Sequence, residues 1–397
     1  MGIYEELGVR RVINADFPMT RLGGSVLPKE VQDAIVEPTG NWCSMWELED
    51  KVGREIAKIC GAEAAHVTCG AYAALVLSAA TCIAGKDPEK MKKLPDTSGM
   101  KNEIIIQSNL LSAHPSEPGM YDRSMEVPGG RLVQIGHEVW GARPEDLEKA
   151  ICERTAAIHF MVPEYPDSRR DIIPLEQVIE LGHKHNVPII VDAAGQTYPI
   201  DLLNRFTKMG ADLVCYAAKY IQGPNSAGWV CGRKEAIETV ALHSFVGQEA
   251  GGYAPRPGFY KSVGRGYKLD RQEIVATLAA LRRWVKLDHY EERIKPALKR
   301  IQVIQNILRG THGLKFSTYP QVLVDGIGYH QLGLEITLEG KTKDEALELQ
   351  SKLRECNPSV WVNSEENKLQ INALYLADED VETIAESIKS NLRMFKN

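Results

Sequence analysis

None of the eight cysteines of this 397-residue chain (Cys43, Cys60, Cys69, Cys82, Cys152, Cys215, Cys231 and Cys356) belongs to a Cys-x-x-Cys pair. That argues against a zinc ribbon or a dithiol centre, so no metal is expected and the eight read as reduced core thiols. No apolar run approaches the length that spans a bilayer. Met1–Thr20 carries Glu5 and Glu6 and has no apolar core, which is unlike a signal peptide. Gly2 follows Met1, but Glu6 stands where a myristoylation signal has Ser or Thr. Gly-x-Gly-x-x-Gly and the Walker lysine are absent, as are fixed-period repeats and Ser/Gly linkers. Positive charge is in deficit: 47 Lys and Arg face 53 Asp and Glu, a net charge of −6. A global basic field for nucleic acid is therefore missing. What remains is an ordinary globular composition, 44% hydrophobic and 25% charged. The expectation is a cytoplasmic protein of two or three core-forming units.

Between residues 50 and 240, short apolar runs alternate with amphipathic stretches. The expected strands are Ala65–Thr68, Glu103–Gln107, Arg131–Ile135, Ala157–Val162, Pro188–Asp192, Asp212–Ala217 and Gly228–Cys231. Several are continuously apolar, as strands buried on both faces are. Pro144 and Pro174 open helices at the favoured first position. The alternation reads as α/β, a mainly parallel doubly wound sheet of seven strands. Beyond residue 270, Arg271–Arg309 reads as one long helix. It leads into strands at Leu314–Thr318, Leu332–Thr337, Val360–Val362 and Leu369–Ile371 and helices at Lys343–Cys356 and Asp378–Phe395, a smaller α+β domain. The divisions expected are residues 1–45, an N-terminal segment packing with the small domain; 46–270, the large domain; and 271–397, the linking helix and small domain.

Three segments carry chemistry. At Val67–Ala74 a strand ends, the small-residue turn Cys69-Gly70-Ala71 follows, and a helix begins. Free N–H groups at a helix start suit an anion, though the same residues serve a simple close-packed turn. At Pro188–Gln196 an apolar strand delivers Asp192 at its C-terminal end, where open α/β sheets bind ligands; a helix cap is the plainer reading. At Cys215–Pro224 a buried-type strand ends in Lys219 before Gly223-Pro224. A desolvated lysine is a nucleophile able to form an imine, unless it merely snorkels to solvent. Together they suit pyridoxal 5'-phosphate: phosphate at one end, an acid for the ring nitrogen, and an imine lysine. Asp192 and Lys219 are 27 residues apart, room for one helix and one strand.

The chain resembles the fold-type I pyridoxal-phosphate enzymes of the selenocysteine-synthase-like branch, which includes seryl-tRNA selenium transferases and D-glucosaminate-6-phosphate ammonia-lyases. The resemblance covers most of the chain and rests on Gly8–Ala15, Thr20–Ser25, Gly61–Ala65, the Asp192 segment, Gly210–Val214, Lys219 with Gly223-Pro224, and Gly264–Lys268. It implies an aspartate-aminotransferase-like large domain. It also implies Lys219 as imine lysine and proton shuttle, Asp192 on the pyridinium, Ala194 on the ring face and Gln196 near the ring hydroxyl. Cys69, Gly70 and Ala71 would form the phosphate loop, and His114 would stack on the outer ring face. A homodimer or higher even assembly with shared sites is implied as well. The chain departs from the branch at Ala218, where relatives often carry Gly or Asp, and in a longer stretch over Ser244–Tyr260.

The charges bear on the reaction. Arg256, Lys261, Arg265, Lys268 and Arg271 face the single acid Asp270, a local excess of +4 in a chain of net −6. Such a patch suits a small anionic substrate, with Arg21, Arg265 and Lys268 as the expected contacts and Arg169 and Arg170 as further candidates facing the site. The expected activity is β-elimination, dehydration and deamination of a hydroxylated, anionic or phosphorylated amino acid or amino sugar acid such as D-glucosaminate 6-phosphate. The alternatives are selenium or sulfur transfer on seryl-tRNA, an aminotransferase or racemase, and a non-catalytic binding protein. The acidic total, and a chain that starts almost at the shared Arg10–Asn14 segment with no separate RNA-binding domain before it, weigh against tRNA.

Overall fold

The computed structural model describes residues 2–111, 123–137, 140–163, 171–249, 262–319 and 332–394. The larger of its two compact units is Ser25–Val285; the smaller joins Met1–Gly24 to the chain from Lys286 onward.

The larger unit holds a seven-stranded sheet. Its spatial order is Ala64–Thr68, Gly228–Gly232, Leu213–Ala217, Ile189–Asp192, Thr155–Met161, Glu103–Gln107, Arg131–Ile135. Gly228–Gly232 runs antiparallel to both neighbours, and the other pairs are parallel. The carboxyl ends of Ala64–Thr68, Leu213–Ala217 and Ile189–Asp192 therefore emerge at the same edge. Each expected strand is present within a few residues, and the inner ones, such as Ile189–Asp192 and Leu213–Ala217, are apolar runs buried on both faces. The helix Gly70–Ala84 is apolar on nearly every side, and Ala73–Thr81, Ile83 and Ala84 are buried. A helix of that composition belongs inside the protein, and it packs across the central strands.

Ala64–Thr68 is an edge strand, and Met45–Ile59 covers it. Gly53 allows direct contact, since a Cβ there would lie 2.1 Å from the Ala65 carbonyl oxygen. Glu49, 3% exposed, accepts the Val67 N–H at 3.0 Å and so satisfies a donor the sheet leaves open. Burial pushes the Glu49 carboxyl up to about 8 and the neighbouring His66 imidazole down to about 4. Their 3.4 Å contact near neutral pH is thus one between two uncharged groups.

Some element details differ from the sequence reading. In chain order, the compact units divide at Gly24 and Val285. Val31 sits in the core of the larger unit, as do Ile274, Leu281 and Trp284 of the helix Arg271–Lys286. The expected single helix Arg271–Arg309 breaks after Lys286 and resumes as a wide turn, Tyr290–Ile294, and a helix, Lys295–Leu308. Asp288 restarts it by accepting the Glu291 N–H at 3.1 Å, and Pro296 lacks the N–H that a regular ladder needs. Pro174 is the N-cap of Leu175–Lys184 rather than its first residue.

In the smaller unit the antiparallel sheet runs Asn363–Glu365, Lys368–Asn372, Gly333–Leu338, Leu314–Tyr319. The expected strand at Val360–Val362 is Ser359–Trp361, which leaves this sheet to pair in parallel with Val12–Asn14. Helices Lys295–Leu308, Lys343–Glu355 and Val381–Met394 complete the unit.

The burial of Glu49 has a thermodynamic consequence. Its carboxyl ionises near 4.5 when unfolded and near 8 when folded, so the folded state holds the extra proton and stability falls as pH rises from about 4.5 to 8. Glu49→Gln keeps an acceptor for Val67 and removes the titration. Its urea midpoint relative to the parent is expected to rise between pH 5 and pH 8.5; a pH-independent difference would contradict the assignment.

Candidate active site

Register places the candidate residues. Gly228 pairs with Ala217 on one side and with Thr68 on the other, so two strands end level with the start of the strand between them. Two residues beyond Thr68 lies Gly70, and two beyond Ala217 lies Lys219. Asp192 pairs with Cys215 in the next strand. With strands about 4.8 Å apart, these groups lie within a span of roughly 15 Å along one sheet edge.

The turn Cys69-Gly70-Ala71 needs its glycine: Gly70 has φ +79°, and a Cβ there would meet nothing within 4 Å, which leaves open space above it. No side chain caps the helix that follows, so its first N–H groups remain available to an anion, aided by the helix dipole. The Cys69 thiol is pushed up, mainly by burial and then by the Glu273 charge, which makes it a poor nucleophile. Gly228 is the support beneath. A Cβ on it would stand 2.4 Å from the Tyr216 carbonyl oxygen and 2.8 Å from the Ala71 nitrogen.

Asp192 is 8% exposed, and its Oδ1 accepts the Ala194 N–H at 3.0 Å. Ala194 in turn accepts the Ala217 N–H through its carbonyl at 3.1 Å, which ties the Asp192 turn to the lysine strand. Gln196 is buried, and its Oε1 has no hydrogen-bond partner among the described residues.

Lys219 sits in a short 3-10 turn, Ala218–Ile221, half-buried, with its Nζ 5.1 Å from the Tyr220 ring centroid. The turn is held at both ends. Ser25 donates its hydroxyl to the Lys219 carbonyl. Gln222 closes it at φ +58°, and its Oε1 accepts from Arg283 Nη1 at 2.8 Å. Ala218 is fully buried, and its N–H donates to Ala227 at 2.9 Å.

Arg265 and Lys268 flank Tyr267, whose phenol interacts with Cys69 and Tyr72 and is pushed up by burial. Their turn, Val263–Gly266, packs on helix Gly70–Ala84 at Gly264, where a Cβ would meet Leu77 at 2.6 Å. The larger unit thus brings Cys69, Gly70, Ala71, Asp192, Ala194, Gln196 and Lys219 to one sheet edge, while Arg265 and Lys268 are chain neighbours of Tyr267, which interacts with Cys69. Arg21 belongs to the smaller unit, over the Trp361 ring. His114, Arg169, Arg170, Arg256 and Lys261 lie outside the described residues. Sequence reasoning missed the supporting roles of Ser25, Gln222 and Gly228. Ser25 and Gly228 had only their places beside recognised segments as a signal.

Comparison with known proteins bears on the fold and the cofactor class. A family model described as Cys/Met metabolism PLP-dependent enzyme matches residues 132–258. The chain is 28% identical over 315 residues to a 5'-C-glycyluridine monooxygenase-decarboxylase of Streptomyces sp, covering 79% of this chain and 73% of that one. It is 26% identical over 315 residues to a D-glucosaminate-6-phosphate ammonia lyase of Salmonella typhimurium, covering 79% and 77%. Among solved structures, that of a D-glucosaminate-6-phosphate ammonia-lyase superposes with a TM-score of 0.82 at 22% identity over 99% of both chains.

The residues present fit pyridoxal phosphate. An uncapped helix start suits the phosphate, a buried carboxylate suits a protonated ring nitrogen, and the orphaned Gln196 Oε1 is an acceptor for a ring hydroxyl. If Gly228 sets the phosphate turn, Gly228→Ala will displace it. The expected result is a loss of about 1–3 kcal/mol in urea denaturation, with weaker uptake of pyridoxal phosphate by the apoprotein. Parent-like stability and uptake would show that the close approach is unimportant.

Proposed function

We propose that this chain, which has the fold of the fold-type I pyridoxal-phosphate-dependent enzymes, is a lyase: it removes water and then ammonia from a hydroxylated, anionic amino acid or amino sugar acid. The observation that carries the reading is the register at one sheet edge: Thr68 and Ala217 end level against Gly228, and Asp192 pairs with Cys215, so that Lys219, Asp192 and the Cys69–Ala71 turn share that edge. The basic turn at Arg265 and Lys268 beside it, and the similarity to the ammonia lyase, support an anionic substrate.

When bound, the cofactor supplies an electron sink for the pair released at the substrate Cα. The chain's own residues do the rest. The N–H groups at the start of Gly70–Ala84 would hold the phosphate, Asp192 would pair with the ring nitrogen, and Gln196 Oε1 would accept from the ring hydroxyl. Lys219 would carry the cofactor, and its amine would take the proton from the substrate Cα. The Cα proton and the Cβ hydroxyl leave together as water, and water then replaces nitrogen to give a 2-oxo acid and ammonia. Arg265 and Lys268 orient the substrate's negative charge. The pocket is completed in an even homo-oligomer.

A second reading, oxygen-dependent decarboxylation, is favoured by the similarity to the monooxygenase-decarboxylase. Both readings need the same lysine and carboxylate. They part on co-reactant and product: one releases ammonia without oxygen, the other consumes oxygen and releases carbon dioxide.

Incubation with phosphorylated and unphosphorylated hydroxy-amino acids of both configurations discriminates them. The lyase reading expects ammonia under anaerobic conditions and without an added 2-oxo acid, and a loss of about 10²–10⁴-fold in rate for Lys219→Ala. Strict dependence on a 2-oxo acid would overturn it in favour of transamination. Oxygen uptake matched to carbon dioxide release would overturn it in favour of the second reading.

A further inference from the structure

In the smaller unit the parallel pairing of Val12–Asn14 with Ser359–Trp361 sets Asn14 opposite Trp361. The chain that follows carries Asp16 and Arg21. The Arg21 guanidinium carbon lies 5.2 Å from the Trp361 ring centroid. Arg354, in the last turn of helix Lys343–Glu355, places its own at 4.8 Å from the same ring. Each contact with the ring is attractive, but the two cations repel each other: burial first, and then Arg21, hold Arg354 below its ordinary range.

The local charge is out of balance. Asp16 interacts with both guanidiniums and offers one negative charge against two positive. Its own ionisation is pushed up to about 6, mainly by burial, so it is a reluctant counter-ion. Hydrogen bonding is incomplete as well. Arg21 Nε donates to the Met19 thioether at 3.2 Å, a weak acceptor. Arg354 Nε is buried and has no hydrogen-bond partner among the described residues. Buried donors of this kind are normally satisfied. A guanidinium fork matches a tetrahedral oxyanion geometrically.

We propose that Arg21 and Arg354, backed by the Trp361 indole, form a paired-guanidinium seat for a doubly charged oxyanion, a phosphoryl or sulfate group. The seat stands on the smaller unit alone and does not depend on the lyase reading. Arg354 had no signal in the sequence beyond its place on an amphipathic helix, where it reads as one more solvated charge.

The probe is sulfate, which stays dianionic across the working pH range. Holoenzyme, with its cofactor phosphate site filled, is titrated calorimetrically with sodium sulfate against sodium chloride of equal ionic strength. The parent and the control Arg309→Gln, which removes an exposed charge elsewhere, are expected to bind sulfate alike. Arg21→Gln and Arg354→Gln are each expected to weaken it about tenfold or more, the loss of one charged hydrogen-bonding group. Arg354→Met keeps a long stem against Trp361 and guards against a folding defect; it is expected to behave as Arg354→Gln does. Equal sulfate affinity in all variants, or no binding by the parent, would overturn the seat. Absence of ammonia from every substrate would overturn the lyase reading and leave the sulfate result standing.

Discussion

At the active edge, one close approach sets the geometry. Gly228 begins the only antiparallel strand of the seven-stranded sheet and has the Tyr216 carbonyl on one side and the Gly70–Ala71 turn on the other. No side chain fits there. Because nothing intervenes, the strands bearing the phosphate turn and the lysine can flank a single strand and end level with it. Lys219 and Gly70 are thereby set two residues past the same row of the sheet. A bulkier residue would change the spacing between the two ends of the ligand, a distance that the cofactor's own covalent length does not allow to vary.

Around that edge the protein keeps ionisable groups in environments that suit different tasks. Asp192 is buried at the active edge, and its Oδ1 accepts the Ala194 N–H. Glu49, buried behind the edge strand, is pushed up by burial, with the Val67 N–H opposing, and stays protonated near neutral pH. The first faces the candidate site; the second seals a sheet edge. Lys219 lies at the rim instead, half-buried against an aromatic ring, on a short turn pinned by Ser25 before it in the chain and by Gln222 and Arg283 behind.

Much of this was legible in the amino-acid sequence, for identifiable reasons. The strands are continuous apolar runs, and a strand buried on both faces leaves little ambiguity about where it ends. Asp192 and Lys219 each follow directly on such a run, so they had to sit at the sheet edge. Long-range choices were not legible. Nothing local tells Ser359–Trp361 to pair with Val12–Asn14 and not with the neighbouring sheet. The break after Lys286 depends on Asp288 preferring to cap rather than to continue a helix, which composition alone does not decide. The meeting of Arg21 and Arg354 over Trp361 requires that pairing first, so it stayed hidden although Arg21 itself stood out.

The central claim is that Lys219 holds pyridoxal phosphate. Borohydride reduction of the purified protein, followed by proteolysis and mass spectrometry, tests it most directly, because reduction fixes the cofactor to the nitrogen that carried it. The account predicts one phosphopyridoxyl group per chain, on the peptide containing Lys219. A label on another lysine, or no label after incubation with added cofactor, would contradict it.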